Sequence, residues 1–229
     1  MLFKFLSLAA FAGLTLAAPA DNGVRIVVKN QCSSDLQVGH ITNGQSAGES
    51  INVKQGTSKS FPFAADWQGR FWARESCNGE SCAIAGAANP ASLAEFTFKG
   101  SGGFDYYDVS FVDGYNLPIS IHPISGDGDG AGNTKYACGA PKCSKLPHCP
   151  DDLKQYEDGK FVGCKSACSA FGTDEYCCAG AHNTPDTCSI NSYAQAVKDD
   201  CPDVYSFAYD DHTSTYMCKA QGYTVTFCP

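Results

Sequence analysis

The segment CGAPKCSKLPHC, residues 138–149, opens the part of the chain in which cysteine is most concentrated. Nine of the fourteen cysteines fall between Cys138 and Cys201. A stretch of this composition buries little apolar core, so its stability must come mainly from cross-links, each contributing about 2 to 4 kcal/mol. The even number of cysteines allows seven disulfides with no thiol left over. We therefore predict a small disulfide-rich subdomain over residues 138–201.

The first twenty residues have the parts of a secretory signal. Lys4 supplies a positive charge, an apolar run follows from Phe5 to Leu16, and small residues suit cleavage after Ala17 or after Ala20. The apolar run is shorter than the roughly 20 residues that a membrane crossing needs. We expect a cleaved signal over residues 1–20, no stable membrane anchor, and a protein secreted to the extracellular space or cell wall, where disulfides persist.

Residues 21–229 are expected to form one mainly β domain. From Val24 to about Ser125, β-branched and aromatic runs alternate with glycine, asparagine and serine, as in strands joined by turns. Each sheet has an apolar face to cover, which favours a two-sheet sandwich or a flattened barrel. The strand-like runs are VRIVVKN, LQVGHIT, SFPF, RFWARE, LAEFTF, YYDVSFV, LPISIHPIS and the terminal YTVTFC, whereas CKSACSAF and INSYAQAVKDDC have helical spacing.

The charge and the polar residues exclude several function classes. The chain has 16 basic and 24 acidic residues and a net charge of −8, and its cations are scattered, so nucleic acid is not an expected partner. The five histidines lie in unrelated segments without metal-ligand spacing, and we expect no metal and no other cofactor. No serine has the context of a nucleophile elbow. The remaining candidates for chemistry are carboxylates.

Six blocks of the sequence resemble thaumatin-like proteins, the pathogenesis-related 5 type, and occur in the order found in that family. The first half of the chain is short and has one cysteine pair fewer than the plant pattern. In these two features the chain is similar to fungal members. The blocks are RFWARESC near Arg70, LAEFTF near Leu93, YYDVSFVDGYNLPISI near Tyr106, EYCCAG near Glu175, CPDVYSFAYDD near Cys201 and the terminal YTVTFCP.

The resemblance implies a thaumatin-like flattened β-sandwich with a disulfide-rich helical subdomain. It also implies a cysteine pairing that the sequence alone does not choose. The implied pairs are Cys32–Cys228, Cys77–Cys82, Cys138–Cys218, Cys143–Cys201, Cys149–Cys164, Cys168–Cys177 and Cys178–Cys188.

The resemblance further implies an acidic cleft between the sandwich and the helical subdomain. Glu95, Asp108 and Asp113 match three of its acids, and we assign the fourth to Asp210 rather than to its neighbour Asp211. Crowded carboxylates can differ in pKa, so that one stays protonated while another is ionised. A glycosidase needs that division of roles.

We assign the roles of general acid to Glu95 and of its catalytic partner to Asp113. Asp108 and Asp210 would then bind substrate hydroxyls and adjust the charge. Tyr115 and Tyr209 lie close to these acids in sequence. Because aromatic rings offer a large apolar contact area, we expect these two tyrosines to stack on sugar faces.

Two features of the sequence complicate this cleft. Asp108 and Asp113 are separated by an odd number of residues, which places them on opposite faces of an uninterrupted strand, although an Asp-Gly turn at Gly114 can re-aim the side chain. Counting back from Glu95 to the position that carries the family's arginine reaches Ala88. The sequence therefore predicts a cleft without that arginine, more negative than is typical.

Two functional hypotheses follow. In the first, the protein binds β-1,3-glucan, or a fungal cell wall that contains it, as a monomer and hydrolyses it as an endo-β-1,3-glucanase. In the alternative, it is a non-catalytic defence protein that binds cell-wall glucan or perturbs a fungal membrane. The carboxylate cluster is compatible with both hypotheses, because perturbed acids mark functional sites without proving turnover.

Overall fold

The computed structural model describes residues 23–77, 82–85, 90–127, 132 and 134–229. The export signal predicted over residues 1–20 lies outside these residues. No helix in the described ranges is long and apolar enough to cross a membrane. The strands are β1 (Val24–Asn30), β2 (Leu36–Thr42), β3 (Glu49–Val53), β4 (Ser58–Phe63), β5 (Gln68–Arg74), β6 (Leu93–Thr97), β7 (Asp105–Ser110), β8 (Ile119–Ile124), β9 (Lys142–Cys143), β10 (Lys154–Glu157), β11 (Lys160–Cys164), β12 (Tyr216–Cys218) and β13 (Gly222–Phe227). The α-helices are α1 (Ala167–Phe171), α2 (Asp174–Cys177), α3 (Ser192–Asp200) and α4 (Asp211–Ser214).

Two large sheets form the sandwich that the sequence predicts. One has the strand order β4-β1-β13-β8-β9, the other the order β12-β7-β6-β5-β2-β3, and β10 and β11 form a separate hairpin sheet. Aromatic side chains fill the space between the two large sheets: the ring of Tyr223 lies 5.3 Å from that of Phe96 and 5.7 Å from that of Phe98. The prediction of a mainly β, flattened sandwich is confirmed.

Not every strand has a sequence pattern that predicts it. The strand β3, with the sequence ESINV, forms the edge of the six-stranded sheet and exposes three of its five residues. An edge strand has one neighbour and little apolar surface to bury, so its sequence lacks the alternation that marks β1, where Ile26 and Val28 are buried and Arg25 and Lys29 are exposed.

The first and last strands of the domain lie side by side. β1 pairs with β13 in parallel from Arg25↔Gly222 to Asn30↔Phe227, and Cys32 and Cys228 follow these paired ends. Their disulfide joins residues 196 positions apart. Parallel neighbours cannot be joined by a tight hairpin, so here the pairing depends on contacts between the two ends of the domain.

Six further disulfides connect the remaining cysteines, and the residues that the structure describes include no free cysteine. All seven pairs are those that the resemblance implies. Four of them lie wholly within residues 138–201, the segment that we call the cysteine-rich segment. The six are Cys77–Cys82, Cys138–Cys218, Cys143–Cys201, Cys149–Cys164, Cys168–Cys177 and Cys178–Cys188.

A short backbone contact fastens the chain that follows the cysteine-rich segment to the sandwich. The Tyr205 N–H donates to the Val109 carbonyl at 2.8 Å, and the Phe111 N–H donates to the Tyr205 carbonyl at 2.8 Å. β12 pairs with the first half of β7, so this contact continues the same edge beyond β12. It fixes Tyr205 next to the end of β7.

Removing the bridge between the parallel strands should destabilise the protein more than removing a short-range bridge. The loop-entropy relation gives about 5 kcal/mol for a loop as long as that closed by Cys32 and Cys228, and about 2 kcal/mol for a loop of about five residues. We expect the double variant Cys32→Ala, Cys228→Ala to lose more unfolding free energy than Cys77→Ala, Cys82→Ala. Urea unfolding under non-reducing conditions measures both, and equal losses would contradict the expectation.

Candidate functional site

An open cleft of about 440 Å³ lies on the face of the six-stranded sheet that points away from the sandwich core. Strands β5, β6 and β7 form its floor, and the residues after β7 together with those around Tyr205 form its side. This cleft is the place where three of the predicted acids meet. Its polar lining includes Arg70, Glu95, Thr97, Tyr106, Asp108, Ser110, Asp113 and Tyr205.

Strand register places the central groups in one row. Arg70 of β5 pairs directly with Glu95 of β6, and Glu95 pairs directly with Asp108 of β7. Residues directly opposite each other in an antiparallel pair have Cβ atoms about 4.5 to 5.5 Å apart and point to the same face. Two residues further along β7 in each direction, Tyr106 and Ser110 line the same cleft.

Asp113 reaches the same cleft by a turn. β7 ends at Ser110, and the Gly114 N–H donates to the Phe111 carbonyl at 2.9 Å, closing a tight turn with Gly114 at a φ of 113°. A positive φ of this kind favours glycine. The turn interrupts the strand alternation, so the odd spacing between Asp108 and Asp113 does not separate them. Both side chains line the cleft.

The prediction of a cleft without arginine is wrong. Arg70 Nη1 lies 3.9 Å from Glu95 Oε1 and 3.6 Å from Asp113 Oδ2, and Arg70 Nη2 donates to the Ala85 carbonyl at 3.0 Å. Ala88, which the sequence spacing from Glu95 places at the position of the family's arginine, lies outside the described residues. The arginine comes from the neighbouring strand, so its distance from Glu95 along the chain depends on the length of the intervening loop, and counting back a fixed number of residues misplaces it.

These contacts limit the separation of Glu95 and Asp113. Because one nitrogen lies 3.9 Å from Glu95 Oε1 and 3.6 Å from Asp113 Oδ2, the two oxygens can be no farther apart than these distances laid end to end. That limit is below the roughly 9.5 Å that marks the widest carboxyl pairs of inverting glycosidases. The pair is therefore close enough to act on one glycosidic bond.

The environment of Glu95 favours its protonated form. Burial raises the pKa of Glu95, and the nearby Asp113 raises it further, while Arg70 and a hydrogen bond from the Ser110 hydroxyl act in the opposite direction. About 35% of the side chain is still exposed to the cleft. Glu95 is thus an acid with a raised pKa whose carboxyl group a ligand can reach.

Asp108 is the more strongly perturbed neighbour. Burial raises its pKa well above the ordinary value, and the charges of Glu95 and Asp211 add to the rise. Among the described residues, its Oδ1 is a buried oxygen without a hydrogen-bond partner. A carboxylate in this position would be costly, because a buried charge without donors loses its hydration without replacement. Asp108 is therefore suited to stay neutral beside Glu95.

Asp210, predicted as the fourth acid, does not line the cleft. It is buried, its Oδ2 lies 2.9 Å from Lys198 Nζ, and it accepts hydrogen bonds from the Ser206 backbone and hydroxyl at 3.0 and 3.1 Å. This carboxylate stabilises the chain after the cysteine-rich segment. Its exposed neighbour Asp211 accepts a short hydrogen bond from the Tyr205 hydroxyl and contributes to the raised pKa of Asp108. Asp211 is thus the acid nearer to the cleft.

The predicted stacking tyrosines also lie elsewhere. Tyr115 is 5% exposed, and its ring stacks on Phe111 at 5.1 Å in the core. The Tyr209 hydroxyl donates to the Asn183 carbonyl at 2.6 Å, and Tyr209 does not line the cleft. Tyr106 and Tyr205 line it instead. Nearness in sequence to Asp113 and Asp210 was misleading, because the turn after β7 directs Tyr115 inward.

The pattern of the thaumatin family matches residues 30–229. The chain belongs to this family. The pathogenesis-related protein 5 of Arabidopsis thaliana is 40% identical over 218 residues, covering 88% of this chain and 89% of that protein. A glucan endo-1,3-beta-glucosidase of Prunus avium is 38% identical over 228 residues, covering 89% of this chain and 90% of that protein.

A solved structure with the same fold comes from Paenibacillus barengoltzii. It is a laminaripentaose-producing beta-1,3-glucanase of glycoside hydrolase family 64, with a TM-score of 0.57 and 14% identity, covering 91% of this chain and 76% of that one. At this identity the likeness concerns the fold. The thaumatin-family sandwich described above is therefore shared with a distant protein.

Because the pKa of Asp108 is raised, we expect the free energy of unfolding to depend on its protonation. A carboxyl group whose pKa is higher in the folded than in the unfolded state stabilises the fold at low pH, and this contribution is lost as pH rises through the folded pKa. Asp108→Asn removes the titration. We expect the variant to gain unfolding free energy relative to the parent between about pH 4 and pH 7, by more than the roughly 0.5 kcal/mol typical of exposed substitutions.

Urea unfolding at several pH values measures this difference. The exposed Asp186 provides the matched control, Asp186→Asn, because it makes the same chemical change outside the cleft. A difference between Asp108→Asn and the parent that stays the same from pH 4 to pH 7 would show that Asp108 is not held neutral by the fold.

Proposed function

We propose that this protein is a secreted β-1,3-glucanase that binds β-1,3-glucan in the acidic cleft and hydrolyses it slowly. The observation that carries the proposal is the convergence of Glu95 and Asp113 on the same guanidinium, with Asp108 in register beside Glu95. The name of the Prunus avium relative, which covers 89% of this chain, supports the choice of glucan. The seven disulfides and the predicted signal support secretion.

The two roles of a glycosidase can be divided between the cleft acids. Glu95, with its pKa raised mainly by burial, would hold the proton that the leaving oxygen needs. Asp113, whose Oδ2 lies 3.6 Å from Arg70 Nη1, would be the ionised partner that attacks the sugar or activates water. Asp108, kept neutral beside them, would donate a hydrogen bond to a sugar hydroxyl.

The carboxyl separation is compatible with two stereochemical outcomes. Retaining glycosidases have carboxyl groups roughly 5 to 5.5 Å apart and inverting ones roughly 6.5 to 9.5 Å apart. The two contacts with Arg70 Nη1 set an upper limit on the separation of the Glu95 and Asp113 oxygens. This limit allows any separation in the first range and separations in the lower part of the second. Tyr106 and Tyr205 offer aromatic rings for contact with the sugar in this cleft.

Hydrolysis should depend on both assigned acids. Incubation with a linear β-1,3-glucan should produce new reducing ends, and Glu95→Gln or Asp113→Asn should each lower the rate about 100-fold or more, as expected for the loss of a catalytic acid or base. The rate of the parent should fall as pH rises through the raised pKa of Glu95, because the acid must be protonated. A reducing-end assay over a pH series measures both effects.

The matched control for these variants is Glu175→Gln. Glu175 is an exposed residue of α2 that does not line the cleft, so the same chemical change there should leave the rate unchanged. Full activity in Glu95→Gln and in Asp113→Asn would remove both residues from the catalytic role.

A second candidate is a glucan-binding defence protein without turnover. The position of Arg70 favours it: the guanidinium contacts both carboxylates that hydrolysis needs, so a cation already occupies the space next to them. In this case the cleft would bind sugar hydroxyls through charged and polar groups, and the chain would act by remaining on the cell wall.

Retention on insoluble β-1,3-glucan, measured beside the reducing-end assay, separates the two candidates. If the protein hydrolyses glucan, retained protein should release soluble product, and Glu95→Gln should be retained without releasing any. Retention of the parent without product would contradict hydrolysis and support binding alone. Absence of both retention and product would contradict both candidates.

A further inference from the structure

A second cavity lies between the cysteine-rich segment and the sandwich, apart from the acids of the cleft. Its volume is about 140 Å³. Its walls come from both parts of the molecule, and they are largely apolar. Among the lining residues are Phe111 and Tyr115 on the sandwich side, and Leu153, Ala167, Ala194 and Val197 on the side of the cysteine-rich segment. We infer that this cavity is a binding site for a small apolar molecule, aromatic or branched aliphatic.

Two hydroxyls in the cavity wall already bond to protein oxygens. The Tyr193 hydroxyl donates to Asp152 Oδ2 at 2.7 Å, and the Tyr115 hydroxyl donates to the His148 carbonyl at 3.2 Å. A buried water needs about two to four polar partners, and a sugar needs more. Because these two hydroxyls bond to protein oxygens, they do not require a hydrogen bond from a guest.

The oxygens of two further lining side chains are engaged in the same way. The Asn191 Oδ1 accepts from the Ala194 N–H at 3.0 Å at the start of α3, and the Ser206 hydroxyl donates to Asp210 Oδ2 at 3.1 Å. These bonds hold the wall in shape. A guest would therefore gain apolar contact without first breaking hydrogen bonds.

The cavity is open enough for a guest to enter. Ala196 and Ala208, which line it, are exposed residues. The rings of Tyr176 and Tyr193 also line it, with centroids 6.0 Å apart, and Phe171, which is 38% exposed, packs against both rings. An aromatic cluster at a partly open cavity offers edges and faces for contact with another ring.

The size of the cavity limits the guest to about one ring. An engineered apolar cavity of about 150 Å³ in another protein stays dry and binds benzene. The cavity described here is similar in volume, and its walls are largely apolar but also include Lys165 and His148. It is too small for a glucan chain. Val112 and Ala208 line both this cavity and the acidic cleft, so the two sites are neighbours with opposite chemistry.

Ligand-dependent thermal unfolding tests this site. Benzene or toluene, added at about ten times its dissociation constant, should raise the melting temperature of the parent by about 3 to 5 °C. Glucose at the same concentration should not. Ala194→Leu places a larger side chain in the cavity and should abolish the rise. Ala181→Leu makes the same change at an exposed residue outside the cavity and should respond as the parent does.

Calorimetric titration of the unaltered protein provides a measurement that does not depend on the folding of a variant. Saturable binding of toluene with one site per chain, in competition with benzene, would support the proposal. Absence of saturable binding by the parent would overturn it. An equal rise in melting temperature for the parent and for a folded Ala194→Leu variant would also overturn it, because the ligand would then bind elsewhere.

Discussion

The antiparallel register of β5, β6 and β7 is the constraint on which the candidate site depends. It sets Arg70, Glu95 and Asp108 side by side on one face of the sheet. A shift of one residue in either pairing would turn one of these side chains to the opposite face of the sheet. The aromatic contacts between the two sheets oppose such a shift, because Phe96, next to Glu95, packs against Tyr223 in the core.

The disulfides allow the part of the chain opposite this sheet to be irregular. The helices of the cysteine-rich segment are short, and α3, the longest of the four described α-helices, has nine residues. Helices of this length are marginal on their own, so cross-links and contact with the sandwich must hold them. The same irregular packing leaves the apolar cavity beside the cleft. The disulfides thus stabilise the region between the cysteine-rich segment and the sandwich, where the acidic cleft and the apolar cavity lie side by side.

The sequence predicts the fold better than it predicts the site. Alternation and turn residues indicate most strands of the sandwich, and the blocks near Glu95, Asp108 and Asp113 indicate the acids. Arg70 was missed because its closeness to Glu95 depends on strand pairing across a loop. The choice of Asp210 over Asp211 failed because adjacent residues at a helix start point in different directions, and only the ion pair with Lys198 shows which is buried. Tyr205 reaches the cleft through a backbone contact with β7 that no local pattern indicates.

The most direct test of the central claim is a crystal structure of Glu95→Gln with a linear β-1,3-glucan oligosaccharide. If the cleft hydrolyses glucan, a glycosidic oxygen should lie within about 3.2 Å of the residue 95 side chain, with the Asp113 carboxylate on the other side of the same bond. An oligosaccharide bound away from these residues, or one whose glycosidic oxygens all lie far from residue 95, would contradict the claim.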